Sequence, residues 1–294
     1  MSDVRVLVAG GGTAGHLVPG LAVAAALVDA GLAPTEVRFV GSDRGVEAEM
    51  VPAAGFGLDE VPSRGLPRRP GPAMLAAGWG LVRAAVRGVG LVRHHRPEVV
   101  VSLGGHAALP GVVGAVVTRT PLVLMEQNKL AGGVNRMLAR FARAAAVTFP
   151  DTDLRRARVT GNPLRAEVVA AARRRRADAD AVRAEARDAL GLPGDRIVVL
   201  VTTGSLGSRR VNTAVIDALA TWAPRDDIAI RLVTGRRDHD EVVGAVPDDL
   251  GDLHLDVVAY EDRMDLALSA ADLAVTRAGA GTCTELAAFG VPAV

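Results

Sequence analysis

Short runs of apolar residues alternate with longer segments of helical periodicity almost from the first residue of the chain. Such runs, separated by crossover helices, are typical of parallel strands that are buried on both faces of a sheet. In the first half of the chain the pattern predicts strands at Val4–Ala9, Glu36–Val40, Val99–Leu103, Leu122–Met125 and Ala144–Phe149. It predicts helices near residues 19–30, 44–54, 73–93, 109–118 and 131–142.

A second alternating set follows a segment of different composition, residues 166–190, which is rich in alanine and charged residues at helical spacing. Beyond it, strands are predicted at Ile197–Thr202, Ile228–Thr234, His254–Val258 and Leu273–Thr276. A chain of 294 residues is long enough for two domains. We therefore predict an α/β protein with two Rossmann-like parallel-sheet domains that face a cleft. Their predicted ranges are 1–162 and 191–294, with a linker and the first helix of the second domain at 163–190.

The sequence stops at Val294 inside the apolar run "GVPAV", which has the pattern of the start of a buried strand. A buried strand needs neighbours on both sides, so a folded domain seldom ends within one. We therefore expect the second domain to be incomplete.

Composition excludes several classes of protein. A net charge of +1 excludes a strongly basic nucleic-acid-binding protein. The one cysteine, Cys283, cannot form an internal disulfide, which is typical of a reducing cytosol. The N-terminal residues have no signal-peptide pattern. Residues 99–118 carry no formal charge, but glycine and proline interrupt them, which favours strand, loop and helix over a transmembrane span.

Three glycine-containing loops each follow an apolar run and precede a helical segment: Gly10–His16, Gly104–Gly111 and Thr203–Ser208. Glycine allows close approach to the backbone, and a helix N-terminus offers free N–H groups and partial positive charge to an anion. One such loop is weak support, because tight strand-to-helix turns need glycine in any case. Three of them on two predicted domains favour phosphate binding.

The first loop has two interpretations. Gly10-x-Gly12-x-x-Gly15 matches the dinucleotide fingerprint, with Asp43 as the acid for the ribose, and predicts a nicotinamide oxidoreductase. That interpretation leaves His16, at the start of the helix, without a role. A histidine suits a base that takes a proton near neutral pH, or a side chain that binds an anion.

Residues 276–290, "TRAGAGTCTELAAFG", predict a strand end, a loop of small residues and a helix that carries Glu285. The amides of Ala280–Thr284 can meet a phosphate, and the Glu285 carboxylate can accept both hydroxyls of a ribose. The alternative is an ordinary exposed glutamate, which the helix dipole favours in the first turns.

Six motifs occur together in the order and at roughly the spacing found in the bacterial MurG family: "GGGTAGHLVP", "SLGGHAALPG", "LMEQNKLAGGVNR", "VTGNPLR", "GSLGSRRVN" and "TRAGAGTCTELAAFGVPAV". The chain resembles this family over its whole length. The resemblance implies a GT-B fold and the transfer of GlcNAc from UDP-GlcNAc to the muramoyl 4-hydroxyl of lipid I, which makes lipid II for peptidoglycan. The reaction implied is inverting and needs neither a metal nor a cofactor.

The resemblance also implies roles for residues of the first domain. Thr13, Ala14 and Gly15 match the loop that lines the sugar and acceptor side of the cleft. His16 matches the histidine of the family, a candidate for the proton acceptor or for a contact with the diphosphate. Asn128, in "EQN", matches a donor-binding residue.

For the donor, the resemblance implies roles mostly in the second domain. Arg165 and Ser205 match positions near the donor diphosphate, and Glu261 aligns with a residue whose backbone meets uracil. The nucleoside site is matched by Ala280, Gly281, Thr282, Cys283, Thr284 and Glu285, with Glu285 on the ribose.

The sequence departs from the family in several places. Thr203 and Leu206 stand where a glycine and a glutamine are usual, His106 replaces a common aromatic residue, and the glutamines that follow "GVPAV" are absent. The changed third loop keeps open a related GT-B transferase with another nucleotide-sugar donor or acceptor. An inactive paralogue that binds a nucleotide sugar without turnover is a further alternative.

Residues 64–96 contain several arginines and no acidic residue. At helical spacing, one stripe holds Leu75, Trp79, Val82, Val86 and Val89, and another holds Arg83, Arg87 and His94. A basic amphipathic helix suits an anionic membrane surface, and the resemblance implies peripheral association with the cytoplasmic face of the membrane. A crossover helix that packs its apolar stripe on the sheet explains the same pattern.

Two charged patterns are assigned no ligand. The run Arg173–Arg176 lies near acidic residues, which predicts a solvated helix face rather than a nucleic-acid patch. Asp-x-Asp triplets at 151–153, 178–180 and 238–240 are rejected as metal ligands, because none follows a strand in a clear site.

Overall fold

The computed structural model describes residues 4–43, 45–62, 72–204 and 207–294. Side chains are described for all of these residues except 72–77. The chain divides into two compact units, Met1–Pro163 and Leu164–Val294. Of the residues singled out above, Ser205 and Leu206 lie outside the described residues, as does the side chain of Leu75, and so do the first arginines of the basic segment, Arg64, Arg68 and Arg69.

The first unit is a parallel sheet of seven strands in the order β3-β2-β1-β4-β5-β6-β7, among the described residues. The strands are β1 Val6–Ala9, β2 Val37–Ser42, β3 Gly57–Val61, β4 Val99–Ser102, β5 Leu122–Glu126, β6 Ala144–Val147 and β7 Ala157–Val159. The helices are α1 Ala14–Asp29, α2 Glu47–Ala53, α3 Pro72–His95, α4 Leu109–Thr118 and α5 Gly133–Leu138, with 3-10 turns at Pro34–Glu36, His106–Ala108 and Ala139–Phe141.

The second unit has a parallel sheet of four described strands in the order β10-β9-β8-β11. They are β8 Ile197–Thr202, β9 Ile228–Val233, β10 His254–Val258 and β11 Leu273–Thr276. The helices are α6 Ala166–Ala177, α7 Ala179–Leu190, α8 Arg209–Trp222, α9 His239–Gly244, α10 Met264–Ala270 and α11 Ala280–Phe289. The final residues lie beside β11, where the Val294 N–H donates to the Ala274 carbonyl over 2.9 Å.

The predicted α/β class with two parallel sheets is confirmed, and each predicted strand is present with small changes at its ends. Two edge strands, β3 and β7, are not predicted from the sequence. β3 contains glycine and two acidic residues, and Asp59 within it is paired with Arg38 of β2 over 2.7 Å. β7 has only three residues, all exposed. Edge strands with few buried side chains give no apolar run, so the pattern missed them.

The segment between the two sheets forms two helices, α6 and α7, and not one. They are separated at Asp178, whose Oδ1 accepts a hydrogen bond from the Ala181 N–H over 3.1 Å. Aspartate is a preferred N-cap, so this residue starts a new helix within a sequence that is helical in composition on both sides.

Arg175, within the arginine run, is buried, so the prediction of a solvated face is wrong for this residue. Its guanidinium donates to the carbonyls of Leu268, Ser269 and Ala271 over 2.5, 2.7 and 2.9 Å. These carbonyls lie at the end of α10, where a helix leaves its last C=O groups without internal partners. Arg175 therefore fastens α6 to the end of α10.

The face of α3 that packs is not the predicted apolar stripe but the one that carries Ala84, Gly88 and Val92. A Cβ on Gly88 would overlap the Pro110 carbonyl, and one on Gly114 would lie 2.6 Å from the Gly88 oxygen. This close approach of α3 to α4 leaves Trp79, Val82 and Val86 on the other side, 67%, 51% and 67% exposed. The interpretation in which the stripe packs on the sheet is wrong for these three residues.

We predict that replacing Arg175 with Met lowers the free energy of unfolding by about 2–4 kcal/mol, because it leaves buried carbonyls without a donor. The matched control is Arg174→Met on the same helix. Arg174 is exposed and its side chain pairs with the exposed Glu185, so its loss costs less than about 1 kcal/mol. Urea denaturation measures both variants. Equal losses would show that the carbonyls do not depend on Arg175.

Candidate functional sites in the two units

Two glycine loops of the first unit lie side by side, because they follow the neighbouring strands β1 and β4. Gly10, Gly11 and Gly12 have φ values of +140°, +142° and +81°, which a side chain would strain. A Cβ on Gly10 would lie 2.8 Å from Cβ of Leu103. A Cβ on Gly105 would lie 4.0 Å from Nε2 of His16, so the second loop passes beside this histidine.

Thr13 caps the start of α1 with an extended backbone. Its carbonyl accepts the N–H groups of His16 and Leu17, each over 3.1 Å. The N–H groups of Ala14 and Gly15 have no partner among the described residues and are available to a ligand. The structure thus brings together Thr13, Ala14, Gly15 and His16 in one turn.

The ring of His16 is oriented by the hydroxyl of Thr13, since Nδ1 lies 3.1 Å from Oγ1. In the tautomer with the proton on Nδ1, the ring donates to Thr13 and keeps Nε2 as an acceptor. Burial lowers the pKa of His16 below its ordinary value, the charge of Glu126 raises it, and His106 lowers it. The net lowering keeps the imidazole neutral near pH 7, the form that accepts a proton.

A carboxylate that the sequence did not single out, Glu126, organises the loop after β5. Its Oε1 accepts the N–H and the side-chain amide of Asn128 over 3.0 and 3.1 Å. Its Oε2 accepts the Gly132 N–H over 2.9 Å and Nδ2 of Asn135 over 3.0 Å. The side chain of Asn128 is therefore held in place by the residue two positions before it. The motif "EQN" contained this signal, because an acid at the end of a strand is placed to bind the next loop.

Asn135 connects this loop to the second glycine loop. Its Nδ2 also donates to the Met125 carbonyl over 3.0 Å, and its Oδ1 accepts from Oγ of Ser102 over 3.1 Å. Ser102 in turn accepts the N–H of Gly104 over 3.2 Å. Asn135 and Ser102 are both buried, so the chain of hydrogen bonds is shielded from water.

Glu47, fully buried at the start of α2, packs against the first glycine loop and binds its backbone. Its Oε1 accepts the N–H of Gly12 over 2.7 Å and that of Ser42 over 3.3 Å, and a Cβ on Gly11 would overlap this oxygen. A dinucleotide fold brings the backbone of the second glycine close to the pyrophosphate. Here a carboxylate occupies that amide, which argues against the nicotinamide interpretation.

In the second unit, α11 begins directly at Ala280. The N–H groups of Ala280, Gly281 and Thr282 have no partner among the described residues, whereas Cys283 donates to the Gly279 carbonyl over 2.9 Å. The hydroxyl of Thr284 donates to the Ala280 carbonyl over 2.8 Å. The predicted run of free amides therefore ends at Thr282, because the helix starts earlier than the loop of small residues suggests.

The positive charge of Arg165 acts on the carboxylate of Glu285 in this unit. Burial raises the pKa of Glu285 above its usual value, and the positive charge of Arg165 lowers it. Arg165 precedes α6, which packs against α11. Its Nη1 lies 3.2 Å from the Glu167 carboxylate, while its buried Nε has no partner among the described residues. A guanidinium with an unused donor is suited to bind a phosphate.

The third glycine loop is held by Arg277, which sequence reasoning did not identify. Its Nη2 and Nε donate to the Thr203 carbonyl over 2.7 and 3.2 Å. Ser205, predicted in this loop, lies outside the described residues. Glu261 follows β10, and its buried carboxylate is paired with Arg231 over 2.6 Å. Its side chain is thus occupied, but its backbone N–H and C=O have no partner among the described residues.

Within the described ranges, no group of three or more histidine, cysteine or acidic side chains is placed to hold a metal ion. At least one acid of each Asp-x-Asp triplet has another partner. Asp151 pairs with Lys129, and Asp238, whose pKa is lowered to about 2 by Arg237 and Arg209, pairs with both arginines.

Comparison with known proteins identifies relatives for the whole chain. Residues 6–147 match the glycosyltransferase family 28 N-terminal domain, and residues 198–294 match the C-terminal domain of that family. The chain is 45% identical, over 99% of its length and 77% of the relative, to a UDP-N-acetylglucosamine–N-acetylmuramyl-(pentapeptide) pyrophosphoryl-undecaprenol N-acetylglucosamine transferase from Nocardioides sp.. It is 42% identical, with the same two coverages, to the protein of this name from Acidothermus cellulolyticus.

Among solved structures, MurG from Acinetobacter baumannii superposes with a TM-score of 0.70 at 24% identity. The match covers 99% of this chain and 77% of that one. At this identity the likeness concerns the fold.

The electrostatic account of His16 predicts opposite shifts for two variants. His106→Gln removes a charge that lowers the pKa of His16, so this pKa rises. Glu126→Gln removes a charge that raises it, so the pKa falls. Imidazole proton NMR across pH 4–9 measures both, with the His16 signal assigned by its loss in His16→Gln.

His239→Gln is the control, because His239 lies in the other unit and has an ion pair with Asp240. It leaves the pKa of His16 unchanged. Shifts of the same sign in the His106 and Glu126 variants would contradict the account.

Proposed function

The chain belongs to glycosyltransferase family 28 and to the MurG transferases within it, and from that membership we propose that it transfers GlcNAc from UDP-GlcNAc to lipid I. The product is lipid II, the lipid-linked disaccharide precursor of peptidoglycan. The observation that carries this proposal is His16, a half-buried imidazole with a lowered pKa, beside the N–H groups of Ala14 and Gly15, which have no partner among the described residues.

His16 acts as the base in this proposal. Its Nε2 takes the proton from the muramoyl 4-hydroxyl, whose oxygen forms a bond to C1 of GlcNAc as the bond from C1 to the UDP oxygen breaks. Attack from the face opposite to UDP inverts the configuration at C1. Thr13 holds the ring through Nδ1, and Glu126 stabilises the imidazolium that forms. Ala14 and Gly15 offer their amides to the acceptor, and Asn128, held by Glu126, contacts the donor.

The second unit binds the nucleotide. Glu285 accepts the ribose hydroxyls, and the free amides of Ala280, Gly281 and Thr282 meet the diphosphate together with Arg165. Charge develops on the leaving diphosphate in the transition state, and prearranged donors of this kind stabilise it. Ser205 is assigned to the diphosphate from its sequence motif, Cys283 and Thr284 complete the turn around the nucleoside, and the backbone of Glu261 contacts the base.

Purified chain incubated with lipid I and UDP-GlcNAc radiolabelled in the sugar is expected to form labelled lipid II. His16→Gln lowers kcat by about a hundredfold or more, the usual contribution of a general base. His239→Gln, in an exposed ion pair of the second unit, retains the wild-type rate. Absence of labelled lipid from the wild-type reaction, or full activity of His16→Gln, would contradict the proposal.

We further propose that α3 binds the chain peripherally to the cytoplasmic face of the membrane, where lipid I lies. Trp79, Val82 and Val86 form an exposed apolar face, and the neighbouring Arg83 and Arg87 are exposed beside it. An apolar face flanked by arginines suits the boundary between acyl chains and anionic headgroups. Among the helices of the described residues, none has the length and hydrophobicity to span a bilayer.

Co-sedimentation with vesicles tests this surface. The wild-type chain is expected to bind vesicles with phosphatidylglycerol better than pure phosphatidylcholine vesicles, and added salt weakens binding. A Trp79→Ser/Val86→Ser double variant is expected to bind at least about tenfold more weakly, because it loses the apolar side chains that would be buried in the bilayer. Val243→Ser, an exposed valine of α9, is the control. Equal binding by all three proteins would exclude α3 as the contact.

A further inference from the structure

A group of three charged side chains, two of them buried and one half-buried, lies next to the loop after β10 and has no part in the reaction proposed above. It consists of Arg231 on β9, Asp256 on β10 and Glu261 in the loop. Arg231 and Glu261 are each only 8% exposed. The sheet register sets Arg231 directly opposite Asp256, so the guanidinium lies across two strands. Charges this deeply buried are costly unless every partner is in place.

Glu261 uses both carboxylate oxygens within the protein. Nε of Arg231 donates to Oε2 over 2.7 Å, and Nη2 lies 2.6 Å from the same oxygen. Nη1 of Arg231 pairs with Asp256. The second oxygen, Oε1, accepts the backbone N–H of Arg263 over 3.0 Å. Through Oε2 the carboxylate therefore attaches the loop to β9, and through Oε1 it binds the backbone of the same loop at Arg263.

This anchoring orients the backbone of Glu261, whose N–H and C=O have no partner among the described residues. A fixed donor beside a fixed acceptor is complementary to the edge of uracil, which offers the O4 acceptor next to the N3–H donor. Cytosine offers a donor and an acceptor in the reverse order. Hydrogen bonds weaken steeply with misalignment, so the peptide distinguishes the two bases only while its orientation is held.

We propose that Arg231 and Asp256 are positioning residues that set the specificity for uracil by holding Glu261. The inference rests on the proposed function, because it takes the second unit to bind a uridine nucleotide. Neither side chain touches the base; each acts through the carboxylate of Glu261 and the peptide that this carboxylate orients.

A purely structural role is the alternative, since cross-strand ion pairs also stabilise sheets. The two roles differ in what Glu261→Gln does. The amide keeps the size of the side chain and one acceptor oxygen, but it cannot accept from Arg231 and Arg263 at once with both oxygens. A structural role predicts lower stability alone, whereas a positioning role predicts a change in base preference.

Calorimetric titration of the full chain with UDP and with CDP tests the inference. We expect the wild type to prefer UDP, and Glu261→Gln and Arg231→Lys to reduce that preference about tenfold through weaker UDP binding. CDP affinity stays within about twofold, because its weaker contact does not depend on the oriented peptide. Asp227→Asn, which breaks the exposed pair with Arg225 just before β9, is the matched control and keeps the wild-type preference.

The possible results of this titration separate a failure of the inference from a failure of the proposed function. A wild-type preference retained in Glu261→Gln, or an equal loss for UDP and CDP, would overturn the inference and leave the proposed function standing, even if the melting temperature falls. A wild type that binds UDP and CDP equally would overturn both the inference and the proposed contact between Glu261 and uracil. A wild type that binds neither nucleotide would contradict the proposed function itself.

Discussion

Parallel pairing of the strands is the constraint on which the rest of the molecule depends. Because all paired strands of a sheet run the same way, the loops at their carboxyl ends gather along one edge. In the first unit, this edge brings the loops after β1, β4 and β5 together, and with them His16, His106 and Glu126. In the second unit, the same rule sets Thr203 against Arg277 and gives α11 its free amides. Strand pairing alone therefore makes neighbours of residues that are far apart in sequence.

The two units use similar loops for different chemistry. In the first unit, buried carboxylates take up loop amides: Glu47 binds Gly12, and Glu126 binds Asn128 and Gly132. A negative charge beneath a loop disfavours a second anion there and favours an imidazole that gains a proton. In the second unit, the first amides of α11 have no partner among the described residues, and the positive charge of Arg165 acts on Glu285 of the same helix. This difference matches a division between proton transfer and nucleotide binding.

The sequence predicted the strands with continuous apolar cores and their division into two parallel sheets, because buried parallel strands leave that pattern. It did not predict the order of the strands within each sheet. It missed β3 and β7, which lie at edges and bury little. It misjudged Arg175, since a buried arginine among solvated ones has no local signature. The roles of Glu126, Asn135 and Arg277 depend on which carbonyl or amide the fold brings within reach. The sequence also could not show that the apolar stripe of α3 is exposed, because the close approach at Gly88 and Gly114 decides which face of the helix packs.

The central claim is that nucleotide binding resides in the second unit and proton transfer in the first. Calorimetric titration of UDP into the wild type, Glu285→Gln and His16→Gln tests it most directly. The account predicts that Glu285→Gln weakens UDP binding about tenfold or more, because the ribose loses a charged acceptor, while His16→Gln leaves the affinity within about twofold. Weakening by His16→Gln equal to that by Glu285→Gln, or full UDP affinity in Glu285→Gln, would contradict it.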